Sequence, residues 1–66
     1  MRVEFLIDGD LSDSTLASFP ELQVARGAAG GTVLFGDVVD RAHLDGLLAR
    51  FLSQNIAVVE FRQLPA

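Results

Sequence analysis

A chain of 66 residues with no cysteine has room for one domain, 1–66, and rules out disulfides and thiolate-bound metal as sources of stability. Its net charge of −4, carried against five dispersed arginines and no lysine, repels a phosphate backbone, and its short apolar runs fall far below the roughly 20 residues that span a bilayer, so neither nucleic acid nor membrane is an expected partner. Half of the residues are apolar, more than so small a globule can hide, and the expected partner is a second copy or another protein.

In chain order, Val3 to Asp8 alternates, with Val3, Phe5 and Ile7 on one face and Glu4, Leu6 and Asp8 on the other, which predicts a first strand. Gly9-Asp10 breaks it. Ser12 then suits the N-cap of a short helix over Asp13 to Phe19, with Leu11 able to staple onto Leu16 and Pro20 ending the helix. Leu22 to Arg26 alternates again, Gly27-Ala28-Ala29-Gly30-Gly31 supplies a hairpin connection, and Thr32 to Val38 forms an antiparallel third strand. Gly36 inside that strand marks either a bulge or a close approach by another group.

Asp40 is a good N-cap for the second helix, whose Leu44, Leu47, Leu48, Phe51 and Leu52 make one apolar stripe. Asn55 fits the left-handed position after the helix, and Ile56 can pack back on Phe51 in a Schellman ending. Ala57 to Leu64 closes the chain as strand four, with Val59 and Phe61 on one face and Val58, Glu60 and Arg62 on the other. Side by side, strands one and four would let Arg62 and Glu60 pair with Glu4 and Arg2.

The order β-α-β-β-α-β assembles most simply as two intercalated right-handed β-α-β units. This is an α+β ferredoxin-like sandwich, an antiparallel four-stranded sheet with a short first helix and a longer second one. Both helices then cover one sheet face. The opposite face is expected to carry Leu6, Ala25, Leu34 and Val58 beside Glu4, Glu60 and Arg62, with the phase of strand three left open by Leu34-Phe35, and these four apolar residues are the expected interface.

The loop Asp8-Gly9-Asp10-Leu11-Ser12-Asp13-Ser14 spaces oxygen side chains like a calcium loop. It departs from an EF-hand at its sixth position, Asp13 where glycine is needed, and at its twelfth, Phe19 where a bidentate Glu is needed. A turn and helix cap is the expected reading, with no metal. Asp8, Gly9 and Asp10 are carried forward as candidate ligand-binding residues. His43, in the first turn of helix two, has no serine or cysteine nucleophile with an evident claim on it, so no catalytic residue is assigned and no cofactor is expected. The glycine-rich loop lacks the strand-to-helix setting and the Lys-Ser/Thr ending of a phosphate cradle. All five phenylalanines, Phe5, Phe19, Phe35, Phe51 and Phe61, fall at positions that read as core.

Thr32-Val33-Leu34-Phe35-Gly36-Asp37-Val38-Val39-Asp40, followed by Ala42-His43-Leu44-Asp45-Gly46-Leu47-Leu48-Ala49-Arg50 and Val59-Glu60-Phe61-Arg62-Gln63-Leu64-Pro65, resembles a type of small stand-alone protein common in high-GC, actinobacterial-type bacteria. Ala17-Ser18-Phe19-Pro20-Glu21-Leu22 extends the likeness. It supports the domain boundaries and supplies no catalytic residues. More loosely, the element order is similar to ACT-like regulatory modules and to dimeric α+β barrel proteins, which associate through sheets. In an ACT-like module the first loop, here Asp8-Gly9-Asp10, would meet an amino-acid effector.

The expected function is therefore a non-enzymatic interaction or self-association module. An ACT-like small-ligand sensor and a minimal enzyme using His43 at an oligomer seam are the alternatives. The opening Met1-Arg2-Val3-Glu4 lacks the apolar run of a signal peptide, and the expected location is the cytoplasm.

Overall fold

The computed structural model describes residues 1–26 and 30–65; the Gly27-Ala28-Ala29 part of the expected hairpin lies outside them. The elements are β1 (Arg2–Ile7), α1 (Asp13–Leu16), β2 (Gln23–Arg26), β3 (Thr32–Asp37), α2 (Arg41–Ser53) and β4 (Val58–Leu64). They form one antiparallel sheet in the order β2-β3-β1-β4, the arrangement of the ferredoxin-like sandwich. α1 crosses over β3 on its way from β1 to β2, and α2 crosses over β1 on its way to β4. The helices thus lie side by side, with α2 toward the β4 edge.

Local chemistry explains the boundaries. The Ser12 hydroxyl accepts from Thr15 N–H at 3.2 Å, and the helix it caps ends at Leu16, earlier than Phe19. Phe19 is instead freed to reach the core, while Leu11 and Leu16 pack at its margin. Asp40 caps α2 by accepting from His43 N–H at 2.9 Å. At the other end Asn55 takes φ +58°, Ile56 N–H donates to the Phe51 carbonyl at 2.9 Å and Asn55 N–H to that of Leu52 at 3.1 Å, the two bonds of a Schellman ending.

Val3, Phe5 and Ile7 of β1 and Leu34 of β3 meet Phe19, Leu22, Val38, Leu44, Leu47 and Phe51 in the core. Phe51 links the layers, its ring 4.9 Å from that of Phe5 and 4.6 Å from that of Phe19. Gly36 resolves as the close-approach case. A Cβ there would stand 2.9 Å from the Glu21 carbonyl oxygen and 3.2 Å from Leu22 Cδ2, so the bare backbone is what admits the segment that carries Leu22 inward.

The expected open face needs correcting at two positions. Leu34 is only 1% exposed on the helix side, because β3 runs in the phase that puts Val33 and Phe35 outward instead. Val58 also turns to the helix side and packs on the core, because a register shift beside Leu6 and Ile7 sets it opposite Ile7, while Glu60, Phe61 and Arg62 keep the alternation expected for β4. Leu6 and Ala25 do lie on the open face, in register with Val33. Two phenylalanines likewise leave the core: Phe35 is half-buried on the open face and Phe61 is 39% exposed at the β4 edge.

Candidate functional site

Across the open face the register sets Arg2 opposite Asp37 and Glu4 opposite Arg62. Arg2 lies 3.9 Å from Asp37 and 5.9 Å from the centre of the Phe35 ring, and Arg62 lies 3.9 Å from Glu4 while also pairing with Glu60 on its own strand. The expected pairing of Arg62 with Glu4 is therefore present; Arg2 turns to Asp37 rather than to Glu60. Leu6, Val33 and Phe35 are half-buried beside these ion pairs, and with Ala25 opposite Val33 they make the face apolar toward β2 and the end of the sheet away from Arg2 and Asp37.

On the helix side, Glu21, His43 and Arg50 converge from the segment before β2 and from one flank of α2. Arg50 donates to the Ser18 carbonyl at 2.8 Å and grips both Glu21 carboxylate oxygens at 3.2 and 2.5 Å, while its guanidinium lies 5.3 Å from the Phe19 ring centre. The Arg50 hydrogen bond holds the Glu21 carboxyl below its ordinary range, with a smaller contribution from His43. His43 Nδ1 accepts from Val39 N–H at 3.1 Å, which places the proton of the neutral ring on Nε2, 3.8 Å from Glu21 Oε2. The trio clamps the α1–β2 segment onto α2. Sequence reading missed Glu21, since nothing local announces a partner 29 residues away, although His43 and Arg50 at i and i+7 already shared a face.

A cleft of about 170 Å³ opens between α1 and β2, lined by Asp10, Leu11, Asp13, Leu16, Val24, Arg26 and Thr32. It exists because α1 is a single turn and leaves the β2 edge uncovered. Of the candidate ligand residues, Asp10 lines the cleft, with Arg26 3.4 Å from its carboxylate. Asp8 and Gly9 shape the turn: Gly9 adopts φ +81° and its carbonyl accepts from the Thr32 hydroxyl at 2.8 Å, while Asp8 N–H donates to the Ala57 carbonyl. Among the described residues no group of three or more His, Asp or Glu side chains is placed to hold a metal ion.

The last surface is a strip of solvent-facing apolar groups on α2 and β4. Leu44, Leu47 and Phe51 fill the buried stripe of α2; Leu48 and Leu52 lie on the flank away from His43 and Arg50, and Leu52 is 80% exposed. That flank looks toward the β4 edge, where Val59 (62%) and Phe61 are exposed as well. The helical period alone put Leu48 and Leu52 in one stripe with the buried three. What it could not show is how much of the stripe the fold covers: Leu44, Leu47 and Phe51 are buried, and Leu48 and Leu52 at its outer edge are not.

The model of a family described as a domain of unknown function, DUF8691, matches residues 2–62. The chain belongs to this family. The match runs from the start of β1 to within two residues of the end of β4, so the DUF8691 unit is the whole sandwich, including the clamp, the cleft and the apolar strip. No curated protein and no solved structure matches the chain. No helix is long and apolar enough to cross a membrane among the described residues.

Proposed function

We propose that this DUF8691 chain is a small non-enzymatic interaction module of the cytoplasm that works by associating with itself or with a partner protein. The observation that carries the reading is the strip formed by Leu48, Leu52, Val59 and Phe61, four apolar side chains left facing water along one edge of a molecule that has little core to spare. The titratable groups that converge elsewhere support it: Glu21, His43 and Arg50 are engaged in holding the fold, on the flank of α2 opposite to the strip, so His43 would not belong to a seam built there.

Light scattering behind a sizing column, over a hundredfold range of concentration, and affinity capture of native partners with wild type and Leu52→Glu test this. Self-association or a partner, either one lost on Leu52→Glu, is the expected outcome. A monomer with no partner that depends on Leu52 would overturn the reading.

The cleft beside α1 favours a second reading, a small-ligand sensor in the manner of an ACT-like module. Its apolar floor of Leu11, Leu16 and Val24 faces the charges of Asp10, Asp13 and Arg26, a combination that suits a zwitterion the size of an amino acid, though the volume is below the several hundred Å³ of most ligand pockets. A thermal-shift screen with amino acids decides it, because a ligand at 100 times its Kd adds about 2.7 kcal/mol of stability. No shift with any amino acid at millimolar concentration would remove it.

A further inference from the structure

We propose that two copies of this chain pair edge to edge through β4, antiparallel about a two-fold axis at Phe61, with Glu60 of each copy facing Arg62 of the other. The proposal rests on the association reading above and names its partner and register. β4 is one of the two outer strands of the sheet and spans seven residues, whereas the other, β2, spans four and ends in Arg26. A short edge with a charge resists pairing; a long one bearing Val59 and Phe61 invites it.

The register follows from charge. An axis perpendicular to the sheet keeps each face on its own side, so only residues of like face stand opposite and the axis has to pass through a residue. Centred on Glu60, the pairing sets glutamate against glutamate. Centred on Arg62, it sets arginine against arginine, centred on Gln63 it sets Arg62 against Leu64, and an axis at Val59 fails because the ladder shift leaves Val58 and Glu60 on opposite faces. Centred on Phe61 it makes two Glu60–Arg62 pairs, the one register in which all four charges are complementary.

Both sheet faces agree with this choice. On the open face Arg62 already lies 3.9 Å from Glu4 and pairs with Glu60, so the seam continues an existing row of alternating charge. On the helix side Phe61 meets its own counterpart, and the exposed flank of α2 bearing Leu48 and Leu52 comes to face its copy. Glu60 through Leu64 pair with β1 in unbroken register, and the shift in the ladder falls at the Val58–Val59 end, outside the charged centre.

Charge swaps test the register. Glu60→Arg sets two arginine pairs across the seam and Arg62→Glu sets two glutamate pairs; each alone is expected to raise the dimer dissociation constant by tenfold or more, roughly. Mixing the two variants restores complementarity, so native mass spectrometry should show the mixed dimer in large excess over either homodimer, and the double variant should dimerise more tightly than either single swap. Far-UV circular dichroism on each variant reports the fold. A monomeric wild type, or a dimer indifferent to both single swaps, overturns the proposal. So does the absence of preference in the mixture, which also separates seam repulsion from simple misfolding. The association reading falls only if the Leu52→Glu experiment fails too.

Discussion

Replacing Gly36 by alanine adds one methyl group at a place where the structure leaves no room for it. The new Cβ would lie 2.9 Å from the Glu21 carbonyl oxygen and 3.2 Å from Leu22 Cδ2. Leu22 is buried and can rotate by little; the carbonyl is backbone and can yield only if the whole Ser18–Glu21 segment shifts, which the Arg50 hydrogen bonds to Ser18 and Glu21 resist. Overpacking of this kind costs roughly 1–3 kcal/mol, and the lower entropy of an unfolded alanine returns about 0.4–1. The net loss is about 1–2 kcal/mol, a large part of the roughly 3–5 that a core of this size supplies, and equals a fall in Tm of about 5–15 °C. Gly46 is the internal control. It sits in α2 with nothing within 4 Å of a Cβ, so Gly46→Ala removes only a helix penalty and is expected to raise stability by about 0.8–1 kcal/mol. Urea melts of the two variants at equal protein concentration should move in opposite directions. A Gly36→Ala protein as stable as wild type would refute the close-packing account of β3.

Arg50→Ala removes the anchor of the Ser18–Glu21 segment and is expected to cost about 1–2 kcal/mol, with hydrogen exchange rising first at Leu22 and Gln23. Because Arg50 lowers the Glu21 carboxyl in the folded state, the unfolded chain binds more protons there. That stability is present above the ordinary carboxylate range and is lost as pH falls through the folded value. Urea midpoints between pH 7 and pH 3 should fall less steeply for Glu21→Gln than for wild type. Phe51→Ala leaves a hole between Phe5 and Phe19 and costs about 3–5 kcal/mol, enough to unfold the chain by circular dichroism at 25 °C. Asp40→Ala takes the acceptor from His43 N–H at the start of α2 and is expected to cost about 0.5–2 kcal/mol in the same melts.

Where a local signal had one physical meaning, the sequence was readable. Ser12 and Asp40 as caps, Asn55-Ile56 as a helix ending and the alternation of Val3, Phe5 and Ile7 each rest on interactions within a few residues, and each is present. The misplacements at Leu34 and Val58 have different causes. Side-chain period in a strand is two, so the Leu34-Phe35 doublet, with no polar residue to fix the phase, let one misjudged residue invert all of β3, whereas Val58 alone is displaced in β4, by a shift in the β1–β4 ladder that no local pattern marks. Of the sites, the Asp10 end of the first loop could be foreseen because a glycine turn before a cap is a local pattern. The Glu21–Arg50 clamp and the exposure of Leu52 are products of tertiary placement and had no such mark.

A β4 seam also answers the hazard that an open four-stranded sheet creates. Each copy offers the same strand to the other, so the contact is isologous, and a two-fold contact uses up both β4 edges at once. The enlarged sheet then ends on both sides in β2, whose four residues and terminal Arg26 make a poor template for further pairing. Were β2 as long and open an edge as β4, head-to-tail addition of β2 to β4 would have no closing point. The asymmetry between the edges therefore predicts more than pairing: mass in solution should rise with concentration to that of a dimer and stop there. A steady climb past the dimer would mean that β2 joins the contact, and that the charges of β4 do not choose the register.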